Sequence, residues 1–181
     1  AFAPAAVPHI STGFAALDAL TGCCGVPLGA LTLLSGRTTS GKLTAAYKLL
    51  ANAQRDARGR TVYAAALLDL SRTADPDYLA RCGVDLGALL IARPQNGVEA
   101  VHLLGDLLAL PGVRAAALDS LPDLAAGSGL NALTAALGKL QQRVRASNAA
   151  LLVLDDPQAP WLRWLGLDAA EDAGQPGRVD P

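Results

Sequence analysis

At 181 residues the chain fits one domain and is long enough to bury a real core. It is 51% hydrophobic but only 4% aromatic, with a net charge of −1, so its core is mostly Ala, Leu and Val. There is no global positive field to draw it onto nucleic acid, and neither a signal peptide nor a run long enough for a membrane helix, so a cytoplasmic protein without a membrane partner is expected.

The lead-in "AFAPAAVPHI" (1–10) holds two prolines and reads as extended. Ser11 or Thr12 is placed to cap a short helix with Phe14, Leu17 and Leu20 at helical spacing. Cys23 and Cys24 follow in a turn, and with Cys82 they show no metal-binding spacing; reduced thiols are expected. "LTLLSG" (31–36) is a buried strand, and from Gly41 the spacing of Leu43, Tyr47 and Leu50 predicts a helix. Strands are then expected at 61–70, 89–94, 113–120 and 149–156, with helices at 75–83, 97–112 and 130–147 between them. Apolar strands alternating with helices imply a parallel sheet covered on both faces, an α/β fold. Trp161 and Trp164 are read as packing over a sheet edge, and His9 and His102 as structural. The polar end of the chain, 166–181, reads as a disordered tail beyond a core domain at 1–165.

Between the first strand and its helix lies Gly36-Arg37-Thr38-Thr39-Ser40-Gly41-Lys42, the G-x-x-x-x-G-K spacing of a phosphate-binding loop. In such a loop, backbone N–H groups and the helix N-terminus cradle phosphates while the lysine neutralises them. The next residue should be a hydroxyl that holds Mg²⁺, but it is Leu43. Thr44 follows one position later, rotated by about 100° around the helix. The cradle is therefore present and the cation ligand is not.

Over residues 10–156 the chain resembles the RecA recombinase family, segment by segment and in the same order. "ISTGFAALDAL" (10–20), "DPDYLARCGVD" (75–85), "ALDS" (117–120) and "SNAALLVLDD" (147–156) carry the likeness. The resemblance implies a RecA-like phosphate-loop core of about five parallel strands. Counted along the chain, these would lie in the order 3-2-4-5-1. It also implies that Asp75 and Tyr78 address adenine and that Asp119 reaches Mg²⁺ through water, with residues 36–44 around the phosphates.

The departures fall on the catalytic parts. Where the family places the glutamate that activates water, after "DL", this chain has Ser71, which has no pKa suited to accept a proton. Where the family ends the fifth strand in Asn-Gln, this chain has Asp155 and Asp156, negative groups beside a phosphate site. The first DNA loop is reduced to "LPDLAAGSG" (121–129), and "PQAPWLRWLG" (157–166) stands where the second would begin. Filament and DNA surfaces are thus not expected, and direct DNA binding should be weak or absent. The combined expectation is a protein that binds ATP or ADP weakly, with a degenerate catalytic site and little dependence on Mg²⁺. It would be an accessory or regulatory factor in DNA repair or recombination, acting through a protein partner. Two alternatives remain: a nucleotide-free scaffold for a partner such as a translesion polymerase, and an active DNA-dependent ATPase.

Overall fold

The computed structural model describes residues 7–125 and 129–156, so the Trp161/Trp164 reading and that of the tail lie outside the described residues. A short antiparallel pair, β1 (His9–Ile10) with β2 (Val26–Pro27), precedes the main sheet. The sheet contains β3 (Leu31–Ser35), β4 (Ala64–Leu68), β5 (Leu89–Ala92), β6 (Val113–Leu118) and β7 (Ala150–Asp155). All its neighbours pair in parallel, in the order β3-β7-β6-β4-β5. Read from the β5 edge and counting only these five strands, that order is 3-2-4-5-1.

The inner strands are almost wholly apolar because both faces are covered, with Arg114 near the start of β6 and Asp155 at the end of β7 as the exceptions. Alternate residues serve opposite faces. Ala65, Leu67, Ala115, Ala117, Leu152 and Leu154 pack beneath α2 (Lys42–Ala53) and α3 (Pro76–Arg81). Ala66, Leu68, Ala116, Leu118, Leu151 and Val153 pack beneath α4 (Gly97–Ala109) and α6 (Leu130–Ala146). Alanine is concentrated in β4 and β6, at Ala64–Ala66 and Ala115–Ala117, whereas β7 is rich in leucine.

Caps set the helix starts. Asp75 precedes α3 with its side chain accepting from Asp77 N (2.9 Å), and Pro76 occupies the first turn, where its missing N–H costs nothing. Asn96 caps α4 by accepting from Glu99 N at 2.9 Å, while the Glu99 carboxylate reaches back to Gln95 N at 2.7 Å.

The expected cap near the N-terminus is corrected. α1 (Ala15–Leu20) has Phe14 at its N-cap and no side-chain cap, and none of its residues is buried. Ser11 Oγ and Thr12 Oγ1 instead donate to the two oxygens of Asp18, each at 2.6 Å. A carboxylate with two hydroxyl donors is a stronger attractor than helix N–H groups, and it draws both side chains away from the cap. The 61–70 strand is also shorter than expected: Arg55 forms an isolated antiparallel bridge with Thr61, and pairing with the sheet starts at Ala64.

Candidate functional site

β3 runs into the glycine-rich loop, and α2 starts immediately after it. Gly41 is the N-cap of α2 at φ 85°, a left-handed conformation that a residue with a Cβ adopts only at a cost. Lys42 then points back, its Nζ donating to the carbonyl of Gly36 at 2.5 Å and closing the loop across its mouth. Ser40 folds over Gly36 so closely that a Cβ on Gly36 would lie 2.6 Å from Ser40 Oγ. The loop lies beside a cleft of about 720 Å³ at the C-terminal edge of the sheet, walled by Thr38, Thr39, Gly41, Lys42, Leu43 and Thr44 on one side. Ser71, Asp119, Asp155 and Asp156 line the cleft as well. Ligands of open α/β sheets bind at this edge.

The expected site residues do not all converge. Tyr78 lines the cleft, and its hydroxyl meets Thr44 Oγ1 at 2.5 Å. Its ring lies 5.8 Å from that of Tyr47, and the Arg81 guanidinium sits 5.6 Å from its centroid. Asp75 is exposed, serves as the α3 cap and is outside the cleft lining; Gly36, Arg37 and Ser40 are also outside that lining. Leu43 borders the cleft and also packs against the core beneath α2, so the position after the lysine has been given over to packing.

The far wall is a hydrogen-bonded clamp. Asp119, just beyond β6, accepts from Leu70 N at 2.8 Å and from Ser71 N at 3.1 Å, and Ser71 Oγ donates to the same carboxylate. Burial pushes the Asp119 carboxyl above the usual aspartate value, against the lowering effect of the bonds from Ser71 and Leu70. Next to it, Asp69 is 1% exposed and holds Thr73 N, Ala74 N and Arg93 Nε at 2.9, 3.1 and 2.7 Å. Sequence reasoning missed both Arg93 and the tie between Ser71 and Asp119. A signal for Arg93 was present: a cation closing one strand, with a carboxylate closing another.

Asp155 ends β7, in register with Ser35, the last residue before the loop. It is 2% exposed; Oδ2 accepts from Ser35 Oγ at 3.1 Å, whereas Oδ1 is buried without a partner. Its backbone carbonyl accepts from Gly36 N at 3.2 Å, which fixes the carboxylate against the start of the loop. Chemically, the cleft combines one ammonium and a helix N-terminus with four carboxylates (Asp119, Asp123, Asp155 and Asp156), and at the Ser71 position it holds a hydroxyl engaged with Asp119.

An all-parallel sheet with helices on both faces and a glycine-rich strand-to-helix loop at its C-terminal edge defines an α/β domain with a RecA-like core. A family model described as the RecA N-terminal domain matches residues 3–154. The chain belongs to the RecA family. It is similar to Protein RecA of Haemophilus ducreyi, with 32% identity over 162 residues, covering 82% of this chain and 42% of that protein. Protein RecA of Aquifex aeolicus is also 32% identical over 162 residues, covering 82% of this chain and 46% of that protein. Protein RecA of Amycolatopsis mediterranei is 41% identical over 119 residues, covering 66% and 31% respectively. The chain thus spans less than half the length of these relatives. Among the described residues, no helix is long and apolar enough to cross a membrane.

Proposed function

We propose that the cleft binds an adenine nucleotide, ATP or ADP, without turning it over, and that the protein is an accessory or regulatory factor in DNA repair or recombination. Family membership supports the repair setting, and the Lys42 loop at the head of α2 supports the phosphate site. Phosphate affinity there would come from backbone N–H groups, the helix N-terminus and Lys42, none of which depends on the hydroxyl that Leu43 replaces.

The observation that carries the loss of hydrolysis is the clamp. A water-activating base has to accept a proton, and the residue at that position is Ser71, a donor to Asp119. Its partner in the cell would be a protein of the repair machinery, with little direct contact to DNA.

Titration with a fluorescent ADP or ATP analogue in EDTA tests binding, and Lys42→Ala should abolish it. Phosphate release with single-stranded DNA tests turnover. DNA-stimulated release that disappears in Lys42→Ala would establish the active ATPase and overturn this reading. A second reading, a nucleotide-free scaffold for a partner such as a translesion polymerase, is favoured by one feature. Tyr78 is engaged by Thr44, Tyr47 and Arg81, and Asp75 by its helix cap, so both adenine-directed side chains already have structural work. Absence of binding at millimolar nucleotide would select it.

A further inference from the structure

We infer that Asp155 Oδ1 is a direct ligand for a divalent cation that enters the cleft with the nucleotide, taking over the coordination that Leu43 cannot provide. The inference rests on the nucleotide-binding reading above, and it revises the expectation that Asp155 merely repels phosphate.

Among the described residues, Asp155 Oδ1 is the buried side-chain polar atom that lacks a partner. A buried carboxylate oxygen left bare is costly, and such atoms in folded proteins are covered by a donor, a water or an ion. Its own surroundings do not cover it. Ser35 Oγ is spent on the other oxygen, and Lys42 Nζ is directed to the Gly36 carbonyl. Asp155 lines the same cleft as Lys42, Thr38 and Asp119, and it is joined to Gly36 N through its backbone carbonyl. It is therefore placed beside the start of the loop, where phosphate charge would need neutralising.

The type of cation follows from the donor set. Among the described residues no group of three or more His, Cys, Asp or Glu side chains can hold a metal by itself. That rules out a self-sufficient protein cage and fits Mg²⁺ or Mn²⁺, which keep several waters and bind through one or two carboxylates together with nucleotide phosphates. Asp119 would stand behind as the second carboxylate, held in place by Leu70 N and Ser71. A carboxylate is a stronger ligand for a hard cation than a neutral hydroxyl, so moving the ligand from the helix to β7 retains the cation while Leu43 fills the core.

The experiment titrates the purified chain with a fluorescent ADP analogue in EDTA and again in Mg²⁺, and follows free Mn²⁺ by electron paramagnetic resonance with and without ADP. Wild type should bind the analogue more tightly with Mg²⁺, and should take up Mn²⁺ only when ADP is present. Loss of even an outer-sphere partner typically costs about 10–100-fold in metal affinity. Asp155→Asn and the shorter Asp155→Ser should therefore lose the Mg²⁺ gain and the Mn²⁺ uptake, while binding in EDTA is kept or strengthened. The wild-type comparison stands by itself should either variant fail to fold. Equal affinity in EDTA and Mg²⁺ for wild type would overturn the inference while leaving nucleotide binding intact. A Mg²⁺ gain that survives in both variants would place the cation elsewhere and also overturn it. No binding in either condition would instead remove the nucleotide reading and this inference together.

Discussion

Ser71 donates its hydroxyl hydrogen to Asp119 Oδ2 across 48 positions of sequence, joining the loop after β4 to the end of β6. The bond ties up both groups. It also offsets part of the burial that raises the Asp119 pKa. Ser71→Ala should destabilise the fold by about 1 kcal/mol in urea denaturation, a typical value for one net hydrogen bond at a partly exposed site. The folded pKa of Asp119 is raised, so its favourable contribution is full below the unfolded value and is lost as pH rises through the folded one. Ser71→Ala removes a lowering influence and should move that loss to higher pH, readable by carboxyl NMR titration.

Ser71→Glu combined with Leu43→Thr is the smallest change that restores a base and a cation hydroxyl. The expected result is a less stable protein before it is a more active one. The glutamate would face Asp119 as a like charge, and the threonine would place a polar group where Leu43 now packs against the core. A melting temperature unchanged from wild type would show that the clamp contributes little.

Asp18 behaves in the opposite sense to Asp119. Burial pulls its carboxyl upward, but hydrogen bonds from Ser11 and Thr12, with the charge of His9, leave it below the ordinary aspartate value. A lowered folded pKa gives stability that is present above the unfolded value, 3.8, and lost as pH falls through the folded one. Melting curves across the acid range should show this loss in wild type and a flatter profile in Asp18→Asn.

Arg93 covers a carboxylate that is 1% exposed, while about half of its own side chain remains in solvent. Arg93→Ala would leave Asp69 with two backbone donors and no cation. Removing one partner of a buried pair costs about 3–5 kcal/mol, and the solvated arginine places this case at or below about 3 kcal/mol. Chemical denaturation measures it. A cost under about 0.5 kcal/mol would mean that water replaces the guanidinium freely.

Much of the architecture was legible because the inner strands are largely apolar and the longer helices α2, α4 and α6 carry a 3.6-residue pattern. The loop was legible from Gly36, Gly41 and Lys42 set between an apolar strand and a helix. Other features had no local signature. Asp18 attracting Ser11 and Thr12 depends on a helical turn that brings the carboxylate back over residues six and seven positions earlier. The orphaned oxygen of Asp155 depends on the register of β7 against β3, and a register cannot be read from either strand separately. Tyr78 was read for its ring; its hydroxyl contact with Thr44, 34 positions away, required the packing of α3 against α2.

β3 occupies an edge of the sheet, and its one neighbour there is β7, so Ser35 and Asp155 are brought together across 120 positions. During vectorial synthesis, the strand that carries the loop is made early but must wait for the last described strand before it is pinned. In the interval the exposed apolar side chains of Leu31 and Leu33 are part of an unpaired segment, open to other chains. A translational pause before β7 is expected to prolong the interval in which this edge is unpaired and to lower the soluble yield, which expression with slowed codons before β7 would measure.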